Sequence, residues 1–277
     1  MVSLPADVVA RYDRFSRYNS PYPAHDAGCA VDLYPGSDDA FSPVDGEILE
    51  TRTVRCPPKS YAVSEDHLIL VDCGDVVARI LHVHPSVSAG ESVAVGDSLG
   101  TLVRSGFFGR WVDNHIHLGF RRHDQNLRRA SGSLPLSLGV AVDGVPWDGT
   151  GEVVETGPAH VRLDTPAHHG DGFAAIASDD GRPLDGGLVH YTGGGALGGT
   201  DGDVSLLGTR VGTAEDGDLS WDDVAVYANG ERATGLSLFA SQVPFGAKVV
   251  FHEGHDFSVG DRIEVAIEPT EEPIRLG

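Results

Sequence analysis

Residues 67–83 read HLILVDCGDVVARILHV, two apolar runs on either side of a Cys73-Gly74 turn. Runs of this length, rich in Val, Ile and Leu and punctuated by Gly and Asp, read as paired strands. Working outward, similar runs recur at 47–55, 98–103 and 115–120, set off by Asp45-Gly46 and Gly96-Asp97. Before them, Val8, Val9, Tyr12 and Phe15 fall at helical spacing between Pro5 and the Asn19-Ser20-Pro21 breaker, which predicts one short helix over 6–18. The first half is therefore expected to be all-β after a helical lead-in.

The second half has the same texture. Runs at 224–227, 236–239, 248–251 and 262–267 alternate with Gly-rich turns, and Asn229-Gly230 is a strong hairpin signal. A small β-sandwich or barrel is expected there. Between the halves, residues 121–137 (RRHDQNLRRASGSLPLS) gather four arginines and then Gly, Ser and Pro without apolar periodicity. The expected organisation is a lead-in over 1–19, a first β domain over 20–122, a linker over 123–137 and a second, acidic β domain over 138–277.

The 277 residues are enough for two domains with full cores. Acidic residues outnumber basic ones 41 to 20, for a formal charge of −21. That charge repels phosphate backbones and anionic lipid, so nucleic acid and membrane surfaces are excluded as expected partners. It is unevenly spread: residues 1–130 carry −4 and residues 131–277 carry −17. Eighteen of the basic residues are Arg and two are Lys, and the whole resembles proteins of salt-accumulating, archaeal halophiles. There is no apolar run near 18 residues and no signal-peptide pattern at the N-terminus, so a cytoplasmic location is expected. Cys29, Cys56 and Cys73 form no CxxC pair and read most simply as reduced thiols, with a single bridge left open.

Thirteen histidines are the informative residues. In Asn114-His115-Ile116-His117-Leu118 the two imidazoles stand two apart, so on a strand they face one site. Upstream, His25 and Asp32 flank a small-residue turn, and a His nitrogen with a carboxylate oxygen suits zinc. The histidines of the second half (His160, His168, His169, His190, His252, His255) lie among Gly and Asp and read as surface-loop residues.

Five segments follow in order: His25 to Asp32; Ser42-Pro43-Val44-Asp45-Gly46; Leu81-His82-Val83; the 87–100 stretch VSAGESVAVGDSLG; and His115-Ile116-His117. Together, over about residues 20–122, they resemble the lysostaphin/LytM-type zinc metallopeptidases, whose fold is a duplicated hybrid motif, a β-sandwich or barrel. The resemblance implies Zn²⁺ held by His25, Asp32 and His117, with His82 and His115 flanking the bound water and developing oxyanion, and a peptide or peptide-like substrate. Two departures leave alternatives open. The family's first His and Asp stand four apart, whereas His25 and Asp32 stand seven apart and position four is Cys29. His84, two residues after His82, competes for the same strand face. The alternative reading is a catalytically inactive hybrid-motif domain used for binding or as a scaffold. A lipoyl-like carrier is a third reading, but no lysine sits at a hairpin tip.

Overall fold

The structure is a computed structural model of the chain that describes residues 1–198, 200–242 and 245–276, with only the backbone of Asp26. Among the described residues regular structure is almost all β, and the two helices, Ala6–Val9 and Pro23–Asp26, are four residues each. Among the described residues no helix is long and apolar enough to cross a membrane. The chain divides into two compact units, Met1–Phe15 with Ala27–Val140, and Ser16–Asp26 with Ala141–Gly277.

In the first unit the two runs of 67–83 form the expected antiparallel pair, Glu65–Asp72 and Val77–Leu81, with Asp72 opposite Val77. Cys73 donates its backbone N–H to Val76 O, and Gly74 takes a positive φ, closing the turn. Outward from this hairpin the strands run Ala30–Tyr34, Ile116–Arg121, Val77–Leu81, Glu65–Asp72, Gly46–Arg55 and Ser92–Val93, every neighbour antiparallel. Ile116, Leu118 and Phe120 are buried at alternate positions of one strand, and Leu68 to Val71 are buried on both faces of another. This continuous apolar content at the sheet's centre is what a β-sandwich or barrel interior requires.

A smaller sheet of Asp39–Phe41, Ser98–Leu102 and Val83–Pro85 joins it. Val77–Leu81 and Val83–Pro85 are separated only by His82, a non-glycine residue at φ +73°. The chain thus passes from one sheet to the next at that residue. Gly100, at the end of the VSAGESVAVGDSLG stretch, lies against the second of these strands, and a Cβ there would sit 2.0 Å from His84 O. Only glycine fits so close a backbone approach.

Two expectations are corrected. The helix ends at Val9, and Arg14–Ser16 is a strand. Tyr12 and Phe15 are buried as the spacing implied, but through a turn: Asp13 N donates to Tyr34 O at 3.0 Å and the Tyr12 hydroxyl to Phe41 O. Residues 123–137 are also no linker. The buried guanidinium of Arg121 donates to the carbonyls of Asn126 and Arg129, and Arg79 donates to that of Leu127, so the loop is folded around two cations of the neighbouring strands. Leu134 N then donates to Phe120 O, and Leu136–Leu138 pairs in parallel with Val2–Leu4. The chain leaves the first unit after Val140.

The second unit is built on a long antiparallel sheet running from Gly202–Leu206 to Glu231–Ala233 through ten intervening strands. Its core includes Trp147, Leu163, Leu188, Trp221, Val226, Val249 and Ile263. Asn229 and Gly230, both at positive φ, turn Val224–Ala228 back onto Glu231–Ala233 as the sequence anticipates. A separate trio, Val142–Val145, Phe173–Ile176 and Ala240–Ser241, pairs beside it.

Candidate metal centre

Register places the site. Across the pair formed by Ala30–Tyr34 and Ile116–Arg121, His117 stands opposite Asp32, and on the strand's other edge it stands opposite Leu81, the residue before His82. Directly opposed residues share a face. Accordingly His117 Nδ1 lies 3.0 Å from Asp32 Oδ1. His115, two residues earlier, brings its Nε2 to 3.4 Å from Asp32 Oδ2. Both imidazoles of the HxH motif therefore meet one carboxylate, itself 3 % exposed.

His25 sits on the short helix Pro23–Asp26 and is buried. The segment carrying it is tied down locally: Ser16 Oγ and Arg17 N donate to the two oxygens of Asp185, and the Asn19 amide donates to Ser237 Oγ. The His25 Nδ1–H donates to the Arg17 carbonyl at 2.7 Å, which leaves Nε2 with the lone pair. His25, Asp32 and His117 each offer one ligand atom, and the three atoms lie within 4.8 Å of one another. Two imidazoles and one carboxylate are a borderline-hard set suited to zinc. Tetrahedral bonds of about 2 Å set ligand atoms roughly 3.3 Å apart, near the 3.0 Å between His117 and Asp32. The His117–Asp32 pair meets that spacing, and the donor types suit zinc.

The open alternatives separate. Cys29 directs its thiol to Ala27 O, and it is Asp32 that joins the ligand group. No disulfide joins the three cysteines. His84 stands beside His67, ring centroids 4.9 Å apart, while the ring of His82 lies 5.1 Å from His115 and 5.8 Å from His117. The positive φ at His82 breaks the strand alternation that had made the two residues equivalent.

Burial pushes the His115 imidazole down to about 4 against the attraction of Asp32, so it is neutral at pH 7. Its Nδ1–H donates to Asp113 O, and Phe108 stacks on it at 4.4 Å. Phe108 also meets His82 edge-on, and Arg104 holds the loop that carries it by donating to the carbonyls of Gly109, Arg110 and Val112.

Asp66 and Ser105 escape sequence reasoning. Asp66 is fully buried and accepts from His82 N, His82 Nδ1, Ser105 Oγ and His67 N. Burial would raise its carboxyl, but the His82 imidazole and these hydrogen bonds outweigh that and hold it at about 2. Its only trace in the sequence is a carboxylate at the mouth of an apolar strand, which burial alone makes meaningful. Among the histidines of the second half, His160 and His190 are buried, contrary to expectation. His190 follows the apolar Leu188-Val189 and precedes Tyr191, and burial drives its imidazole down to about 3.

Residues 3–138 match the family model described as Domain of unknown function (DUF8155) N-terminal domain, and residues 143–268 match the DUF8155 C-terminal domain. The seam between the two falls where the chain passes from the first unit to the second. No curated protein matches the sequence.

Proposed function

We propose that this chain, a member of the two-domain DUF8155 family, is a zinc-dependent hydrolase of peptide bonds. The observation that carries the reading is the meeting of His115 and His117 on the buried Asp32 carboxylate, with the ring of His82 5.1 Å from His115 and 5.8 Å from His117. His25, Asp32 and His117 would hold the ion. When bound there, zinc polarises a carbonyl and lowers the pKa of its water towards neutrality.

The remaining work falls to this chain's own side chains. His115, neutral and held by Asp113 O through Nδ1, keeps Nε2 turned to the Asp32 carboxylate. His82 holds its ring across from it at 76°, so two imidazoles flank the space where a proton must move from the attacking oxygen to the leaving amine. Phe108 covers both rings and thins the water around them, which strengthens every charge interaction beneath it. No serine or cysteine nucleophile is required. The order of the motifs, resembling lysostaphin/LytM-type enzymes, supports a peptide rather than another acyl substrate.

Metal analysis of the purified protein in high salt tests the reading. About one zinc per chain is expected, lost in both Asp32→Ala and His117→Ala. In the loaded protein, His82→Gln and His115→Gln should keep the zinc and lose cleavage of glycine-rich peptides followed by mass spectrometry. A wild-type protein that takes up no zinc overturns the proposal.

A further inference from the structure

The residue with the least obvious purpose in the first unit is Asp66. A carboxylate with no exposed surface is costly unless every lone pair is engaged. Here each oxygen takes two donors. Oδ1 accepts from the backbone N–H of His67 at 2.6 Å and of His82 at 3.0 Å; Oδ2 accepts from Ser105 Oγ at 2.6 Å and His82 Nδ1 at 2.5 Å. Two of the four donors to this carboxylate, His67 N and Ser105 Oγ, lie outside the candidate site, and the other two are the backbone N–H and the ring of His82, a residue in it.

The grip on His82 is double, on the backbone and on the ring. His82 sits at φ +73°, a conformation that a β-carbon disfavours by roughly 1 kcal/mol or more and that persists only where the surroundings impose it. Its backbone carbonyl is also used, accepting from Val103 N. The positive φ is what turns the ring away from His84 and towards His115, and Asp66 fixes both ends of that turn. With its lone pairs occupied by two amide protons and a hydroxyl, Asp66 faces His82 as an acceptor, so Nδ1 must carry the proton and Nε2 the lone pair.

We propose that Asp66 is the positioning residue for His82, holding its imidazole as the Nδ1–H tautomer with Nε2 as the open nitrogen, and that Ser105 supports Asp66 in this role. The inference deepens the hydrolase reading, since it rests on His82 as a proton-handling group, yet its central claim is about a ring nitrogen and is measurable without substrate. Asp66 touches neither substrate nor metal ligand; it acts through His82 alone.

The test is long-range ¹H–¹⁵N spectroscopy of the full chain labelled at histidine, with His82 assigned by the signals that vanish in His82→Gln. The wild type is expected to show a pyrrole-type Nδ1 and a pyridine-type Nε2 for this ring. Asp66→Asn, which can offer Nδ1 an amide donor instead of a carboxylate, should shift the ring towards the Nε2–H form, while Ser105→Ala should keep the Nδ1–H form. In the zinc-loaded protein Asp66→Asn should lower kcat by about 10- to 100-fold with little change in KM or zinc content. A wild-type His82 in the Nε2–H form overturns the inference, and does so even if Asp66→Asn fails to fold. A folded Asp66→Asn with an unchanged tautomer overturns it as well. Absence of zinc uptake beside an Nδ1–H ring would remove the hydrolase reading and leave the positioning role standing.

Discussion

Asp66 in the first unit and Asp185 in the second are both fully buried carboxylates on strands, and they are driven in opposite directions. Asp66 faces an imidazole and three further donors and is held at about 2. Asp185 faces a hydroxyl, Ser16 Oγ at 2.5 Å, and one amide, Arg17 N at 2.6 Å; burial wins, and it is pushed up to about 6. Lack of exposed surface therefore does not by itself set ionisation. The number and charge of the groups turned towards the carboxylate do, and that makes the first a fixed anion and the second a group that protonates in mild acid.

Removing each carboxylate should expose the difference most strongly. Asp66→Ala strands a histidine ring N–H, two backbone N–H groups and a hydroxyl, and releases the positive-φ turn at His82, so a loss of about 3 to 5 kcal/mol from the first unit is expected. Asp185→Ala strands one hydroxyl and one amide and should cost the second unit about 1 to 3 kcal/mol. Denaturant unfolding of the full chain checks both. The units can be told apart by fluorescence, because Trp111 lies in the first and Trp147 and Trp221 in the second. Equal losses would mean that burial, not donor count, governs the two sites.

Titration separates the carboxylates next, and the signs are opposite. Asp66 has a folded pKa of about 2, below the unfolded value near 3.9, so its contribution is present above about pH 4 and is lost as pH falls through 2. Asp185 has a folded pKa of about 6, above the unfolded value, so its contribution is full below about pH 4 and is lost as pH rises through 6. Each is worth on the order of 2 to 3 kcal/mol over its window. Thermal unfolding in constant high salt should show the second unit's advantage of wild type over Asp185→Ala growing from pH 8 to pH 4, while buried His190, which stays neutral down to about 3, lowers both chains alike as pH falls. The first unit should lose the Asp66 contribution only below pH 4. A difference between wild type and Asp185→Ala that stays flat across pH 4 to 8 would show that Asp185 is not the buried acid described.

The contrast also shows what a sequence carries. The strand pair of 67–83 and the Asn229-Gly230 hairpin are legible because apolar runs and turn residues are local properties. The candidate-site residues His25, Asp32, His82, His115 and His117 come from the order of motifs that resembles lysostaphin/LytM-type enzymes; in the structure it is Asp32 that stands opposite His117, and His82, turned by its positive φ, that faces His115. The loop 123–137 reads as a linker because it lacks apolar periodicity, whereas what holds it is the buried Arg121 of the preceding strand, which binds the loop's carbonyls. The helix over 6–18 was misread because apolar spacing at 8, 9, 12 and 15 is met equally by a short helix, a turn and a strand. Asp66 and Asp185 were invisible for one shared reason. Their partners stand between 16 and 169 residues away along the chain, apart from the His67 amide next door, and no local pattern encodes such contacts.

The smallest effect bears on how Asp66 is held. Ser105 Oγ donates to the same oxygen as His82 Nδ1 and also accepts from Phe107 N at 3.2 Å, so the hydroxyl links the carboxylate to the loop that carries Phe108. Ser105→Ala removes one of four donors and leaves no charge unpaired; about 1 kcal/mol should be lost from the first unit, against 3 to 5 for Asp66→Ala. Because the hydroxyl helps hold Asp66 below its usual range, the acid limb of the first unit's stability should also move slightly upward in pH. Asp66 then keeps three donors, still more than the two at Asp185. If donor number and charge set the ionisation of a buried carboxylate, this variant must fall between the two sites and closer to Asp66, and an acid limb displaced as far as pH 6 would show that the hydroxyl, not the imidazole, keeps the anion.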